Sequence, residues 1–389
     1  MALGSSRGFT IAGVKTWDVI IIGGGIIGLS LSIALRKRGA GVLVVERGEP
    51  GREASHAAGG MLVDCPLETP PLLQPLATAS ARMYPEFTLE LEVESGMKVD
   101  LRSYGTILFY SMESVKDGHP AISPLDFADL VEREPALAQL HPDQEIASGK
   151  GRIEISDCFP AASSPVGADY LKERSVDPRA LAAAAIKAAK NRGIDFSSGD
   201  EVTTVEVEHG RAIGIKTAKT VFAARHVVNC AGAWAGAIGP QPIPTRPVKG
   251  QMLCLIMPSR TLLKHVIRSP QAYLIPRSDG RLLVGATVEE AGFDKRTDPD
   301  TIQRLHRAAL KLIPNLADAR ILEDWAGLRP GTPDGLPILG ATSTPGYYAA
   351  TGHFRDGILL APITAEVMAD VIEGRQPRHD LAPFSPARF

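Results

Sequence analysis

Blocks of like charge, paired cysteines and metal-spaced histidines are all missing from this 389-residue chain. Its 42 lysines and arginines against 44 aspartates and glutamates leave a formal charge of -2, with no basic run and no acidic tail. Such a balance offers no attraction to nucleic acid or an anionic membrane, so neither is expected as a partner. The four cysteines, Cys65, Cys158, Cys230 and Cys254, are scattered without a CxxC pair. That argues against a disulfide framework and a structural metal, and points to a reducing cytoplasm. None of the nine histidines falls into HExxH or comparable spacing, so no metal is expected. A Ser/His/Asp array, a paired-carboxylate motif and internal repeats are absent too. The chemistry is therefore expected to reside in a bound cofactor.

What is present begins at residues 18–46, DVIIIGGGIIGLSLSIALRKRGAGVLVVE. An apolar run ends in three glycines, a helical pattern follows, and a second apolar run closes on Glu46. This reads as strand, tight turn, helix and strand, with Gly23-x-Gly25-x-x-Gly28 at the turn. Gly23 makes the turn, Gly25 lets a pyrophosphate approach the backbone, and Gly28 lets the helix pack on the strand. Phosphates would rest on the N–H groups at the helix start, and Glu46 can accept from a ribose 2′-OH. The apolar stretch 19–35 is not a membrane segment, since the glycine triplet interrupts it and Asp18 precedes it. The motif alone leaves NAD and FAD both open.

The length suits two domains better than one. Residues 1–16 are small, polar and aperiodic, and read as a loose leader. Residues 47–62 (RGEPGREASHAAGGML) hold too few large side chains for a core, which suits backbone laid along a flat cofactor, with Met61 facing a pocket. A mostly helical stretch, 72–96, is expected to be interrupted at Pro85, and 105–110 is a strand by alternation. An acidic helical pattern covers 120–138, and 141–165 reads as strands with loops. Asp177-Pro178 starts a strong helix that stops at Gly193. Short strands at 201–207, 212–216, 220–223 and 226–230 are expected to complete the parallel sheet. After a proline-rich linker at 240–247 come strands at 251–256, 272–276 and 282–286 and a helix at 299–313. A final strand, glycine turn and helix from 346 resemble the opening unit, so the second domain is expected to be inserted rather than appended.

Two arginines stand beside glycines at element ends, Arg329 in WAGLRPGTPDG and Arg355 in GHFRDG. An arginine fork suits a carboxylate through two parallel charge-assisted bonds, although a surface ion pair satisfies the same pattern. Tyr273, in QAYLIPRSDG, is a strand tyrosine of the kind that is more often half-buried core.

These stretches carry a family resemblance. VIIIGGGIIG, Glu46-Arg47, HAAGGML, VKGQ at 248–251, YLIPRSDGRLLVGAT from Tyr273, WAGLRPGTPDGLPILG from Trp325 and TGHFRDGILLAP from Thr351 resemble the glycine-oxidase branch of the FAD-dependent D-amino-acid oxidase family. The resemblance covers essentially everything after Thr16, and the last two stretches are its most specific part. It implies non-covalent FAD and an α/β architecture. A Rossmann-like FAD-binding domain (17–92, 170–242 and 326–389) would carry an inserted α+β substrate domain built on an antiparallel sheet (93–169 and 243–325).

The resemblance also implies roles. The cofactor-binding set is Gly23, Gly25, Ile26, Ile27, Gly28, Glu46, Arg47, Ala54, Ser55, Gly59, Gly60, Met61 and Val202, with His353, Phe354, Arg355, Asp356, Gly357, Ile358 and Leu359 around the flavin ring. Arg329 and Tyr273 would hold a substrate carboxylate, Arg355 would be a second substrate-side arginine, and Met61 a pocket wall. The implied reaction is oxidation of glycine, an N-substituted glycine or a small D-amino acid by hydride transfer to flavin. Dioxygen would be reduced to hydrogen peroxide, and an imine would become available for thiamine thiazole assembly. A homo-oligomer, such as a tetramer, is implied as well. The alternatives are a flavin amine dehydrogenase of the sarcosine or iminodiacetate type with another electron acceptor, a flavin-binding accessory subunit, or an NAD-dependent dehydrogenase. Arg268 stands where some members have a tyrosine, which suggests a substrate with an additional acidic group.

Overall fold

The computed structural model describes residues 15–66, 68–111, 123–140 and 166–389. The expected strands and loops at 141–165 lie outside the described residues. Strand β1 (Thr16–Ile22), helix α1 (Ile26–Lys37) and strand β2 (Val42–Glu46) form the opening unit. All of β2 and the last four residues of β1 are buried, as continuous apolar runs are when a parallel strand is covered on both faces. Around this pair grows an eight-stranded sheet. Asp195–Ser198 lies parallel to β2, while Val221–Asn229 lies parallel to β1 and in turn to Tyr347–Thr351. Helices α1, Pro178–Asn191 and Ala361–Ile372 bury their apolar faces in one core against this sheet.

Several expectations change. The first strand begins at Thr16, which pairs with Ala223, so the leader boundary falls earlier. Helix Gln74–Ser95 runs through Pro85 without a break. A proline there removes one ladder bond, and burial of Leu76, Ala77, Tyr84 and Leu91 outweighs the loss. Val202–Glu208 and Arg211–Thr217 join the eight-stranded sheet, but not as parallel strands. They form an antiparallel meander on Val221–Asn229, which is one strand rather than two. Pro247 sits inside the strand Arg246–Ile256, so the linker is shorter than expected.

The second sheet has seven strands: Arg320–Gly331, Arg246–Ile256, Arg281–Gly285, Tyr273–Pro276, Val266–Arg268, Thr106–Ser111 and Val166–Leu171, in that spatial order. All neighbours are antiparallel except Val266–Arg268 beside Thr106–Ser111. Helix Pro299–Leu312 packs its apolar face on this sheet, with Leu305, Ala309 and Leu312 in a separate core. The two sheets enclose a cavity. Among the described residues no helix is long and apolar enough to cross a membrane.

Candidate active site

The cavity measures about 1400 Å³, above the roughly 300–1,000 Å³ of an ordinary small-molecule pocket. One end is built by the opening unit. Gly23 has φ +104°, and a Cβ there would sit 2.5 Å from the Cys230 carbonyl oxygen. A Cβ at Gly28 would collide with the Gly23 carbonyl oxygen. The turn is thus possible only with bare backbone at both positions. Gly25 caps α1 without a side chain, and the Ile26 N–H donates to Ser55 Oγ at 2.9 Å. The Glu46 carboxylate is held by two backbone donors, Gly24 N–H at 2.8 Å and Gly48 N–H at 2.9 Å. Two oxygens so anchored keep lone pairs for hydroxyl donors. Arg47 lies over the Trp234 ring, 3.5 Å from its centroid, and pairs with Glu53 at 2.8 Å. A small-residue cradle at a helix start, an anchored acid and an Arg–Trp stack fit a dinucleotide.

The other end belongs to the second sheet. Tyr273 faces Gly285 across one strand pair, and Gly285 faces Met252 across the next. A Cβ at Gly285 would lie 2.8–2.9 Å from the Tyr273 ring, and one at Gly250 would collide with the Arg329 guanidinium. Two glycines therefore provide the room in which arginine and tyrosine lie on the sheet. Arg329 Nη1 donates to Thr287 O at 3.0 Å and Lys249 O at 3.3 Å. Loss of water pushes the Tyr273 hydroxyl pKa up, against the pull of the nearby Arg329 and Arg355 charges, and the hydroxyl donates to Met252 Sδ at 3.7 Å. Met61 packs in the same cluster as Tyr273, Met252 and Trp325. Buried Arg277 donates to Gly59 O at 2.6 Å, tying the cavity wall to the strand that carries Tyr273.

The turn after Thr351 closes the cavity. The Phe354 N–H donates to Pro330 O at 3.0 Å, stitching the turn to the strand beside Arg329. Arg355 is exposed at the cavity edge. Burial holds His353 down at about 3, with Nε2 3.1 Å from Thr364 Oγ1, so this ring is neutral near pH 7. Burial pushes Asp356 up to about 6, against the pull of Arg355.

Of the expected residues, Gly23, Gly25, Ile26, Ile27, Glu46, Arg47, Ala54, Ser55, Gly59, Gly60, Met61, Val202, Tyr273 and Arg329 line this cavity, as do His353, Phe354, Arg355, Asp356, Gly357 and Ile358. Gly28 and Leu359 do not. Gly28 sits beneath the turn, and the Leu359 side chain is in the core while its carbonyl accepts from Ser80 Oγ at 2.6 Å. Arg268 also departs from expectation. It is 5% exposed and paired with Glu68 and, at 2.9 Å, with Glu173, so its charge is already matched rather than offered to a substrate acid. The sequence reading missed Gly250, Gly285 and Trp234. The first two lie in the quoted VKGQ and LLVGAT stretches, but what they accommodate is visible only across strands.

A dinucleotide cradle sharing one cavity with an anion receptor is the arrangement of a nucleotide-cofactor oxidoreductase for a small acid. The chain belongs to the FAD dependent oxidoreductase family, whose model matches residues 18–371. It is 34% identical to the bifunctional protein ThiO/ThiG of Trichormus variabilis over 96% of this chain and 55% of that protein. It is 32% identical to the glycine oxidase of Pseudomonas putida over 95% of this chain and 98% of the relative. The crystal structure of glycine oxidase from Geobacillus kaustophilus superimposes with a TM-score of 0.83 at 32% identity, covering 96% of this chain and 99% of that one. The chain spans about half the length of the bifunctional relatives it matches.

Proposed function

We propose that this protein oxidises glycine, or a small N-substituted glycine or D-amino acid, to an imine, with dioxygen as the final electron acceptor. The observation that carries the reading is the meeting of Arg329 and Tyr273 over Gly250 and Gly285 in the cavity that holds the dinucleotide cradle. The cofactor-binding division is assigned to 17–92, 170–242 and 326–389 and the substrate division to 93–169 and 243–325. Strand Arg320–Gly331 runs from one into the other.

Bound FAD supplies a two-electron acceptor that dioxygen can reoxidise. The chain's contribution is orientation. The Arg329 fork takes the substrate carboxylate, the Tyr273 hydroxyl adds a donor, and Met61 and Met252 limit the space beside the α-carbon. The substrate loses two electrons and two protons to become the imine, which water converts to an oxo acid and ammonia (or, for an N-substituted glycine, the corresponding amine) while dioxygen becomes hydrogen peroxide. Glycine would give glyoxylate, or its imine would supply thiazole assembly for thiamine, as the ThiO/ThiG likeness suggests.

The test is an oxygen-dependent peroxide assay of the flavin-loaded protein with glycine, sarcosine and D-alanine. Peroxide from at least one of them supports the reading. Reduction of the flavin without peroxide would move the protein to a dehydrogenase with another acceptor, and no reduction would remove the enzymatic reading.

A further inference from the structure

On the strand next to Tyr273, one residue lies directly opposite the tyrosine. The antiparallel register pairs Arg268 with Tyr273, and directly paired residues project to the same sheet face with Cβ atoms about 4.5–5.5 Å apart. Both side chains line the cavity. Arg268 is held from behind by buried Glu173 at 2.9 Å and from the front by Glu68, whose side chain is 38% exposed. Glu68 itself lines the cavity, together with Thr69 and Pro70. The cavity wall nearest the substrate tyrosine therefore presents a carboxylate standing on an arginine whose charge is already matched.

We propose that Glu68 is a specificity-determining residue, a charge filter that rejects substrates with a second carboxylate beyond the one held by Arg329. The inference rests on the substrate class proposed above. A second substrate carboxylate would approach Glu68 and meet like charge in a partly desolvated cavity, where repulsion is strong. Arg268 cannot answer it while Glu68 and Glu173 occupy its guanidinium. Replacing Glu68 with a neutral isostere removes the repulsion and frees one edge of Arg268, so the filter becomes a receiver. A neutral N-substituent of the same length meets neither effect.

Sarcosine and iminodiacetate make a matched pair, since the second adds only a carboxylate to the N-methyl group of the first. The wild-type flavoprotein is expected to favour sarcosine in kcat/KM, and Glu68→Gln is expected to lower that preference about tenfold or more. Glu68→Asp is expected to keep most of it. Binding read without turnover gives the second arm. Methoxyacetate and diglycolate, the oxygen analogues of the pair, are titrated into wild-type and Glu68→Gln protein, with the flavin absorbance shift as readout. The same swing in relative Kd is expected. A preference within about twofold of wild type in Glu68→Gln, or tighter binding of diglycolate than methoxyacetate by the wild type, overturns the proposal. Wild-type protein that oxidises neither amine leaves the proposed function to the glycine and D-alanine assays, whose failure defeats it separately, and the binding arm still decides the filter.

Discussion

The two ends of the cavity are made of different material. The cradle end is backbone: Gly23, Gly25 and Gly28 leave no side chain in the way, and Glu46 is anchored by the amides of Gly24 and Gly48. The substrate end is side chain: Arg329, Tyr273, Arg268 and Glu68 come from separate strands and a loop and meet across a sheet. A backbone site is exact about shape and indifferent to small differences in the ligand's distal groups. A side-chain site can be retuned one residue at a time. The cofactor is thus held by what the chain omits, and the substrate by what it adds.

The most severe way to break the first half of this contrast is Gly28→Val. Its Cβ would collide with the Gly23 carbonyl oxygen, an overpacking that backbone cannot relieve and that should cost at least ~3 kcal/mol. The purified variant is expected to carry less than about a tenth of the wild-type flavin per chain by absorbance. A fully yellow Gly28→Val would mean that the cradle is not backbone-limited.

Arg329→Ala tests the other half. Losing a bidentate charge-assisted contact should cost about 2–4 kcal/mol in kcat/KM, chiefly through KM, with flavin content unchanged. Unaltered glycine kinetics would remove the carboxylate clamp. Gly285→Ala sharpens the contrast, because it alters the seat of the Tyr273 ring and hydroxyl without replacing any polar side chain. Its methyl group would press on the ring at 2.8–2.9 Å, so KM should rise by about 1–2 kcal/mol in free-energy terms while the cradle keeps its flavin.

The smallest effect concerns His353, where the two ends meet. Its pKa is about 3 in the folded protein against an ordinary 6.5. Below pH 6.5 the unfolded chain takes up a proton that the folded one does not. Stability present above that pH is therefore lost as the pH falls toward 3, by up to ~1.4 kcal/mol per unit. Urea midpoints measured from pH 7 to pH 5 should fall less steeply for His353→Gln than for the wild type. Parallel slopes would show that the ring is not held neutral.

Local stretches were legible because their signals lie within a few residues of one another. The strand, glycine turn and helix of 18–46 need only short-range periodicity and three missing side chains. The helix begun by Asp177 and Pro178 is announced by its own cap. Other features were not legible. The meander at Val202–Thr217 alternates polar and apolar residues, which marks strands with one exposed face, but which strands they pair with is set only by register. Pro85 is a helix breaker by its own chemistry, and burial of its helix on two neighbouring helices overrides it.

The amino-acid sequence by itself determined the dinucleotide cradle, the alternation of strand and helix that builds its sheet, and the residue types capable of holding a carboxylate. Tertiary structure alone decided what those side chains are free to do. Arg268 reads as a spare cation in the chain, yet its partners stand 200 and 95 residues away and match its charge. Arg329 reads as an arginine beside glycines, yet the glycine that makes room for it, Gly250, lies on the neighbouring strand. Backbone geometry follows from adjacent residues, whereas the charge and reach of a side chain depend on neighbours that only sheet register brings into contact.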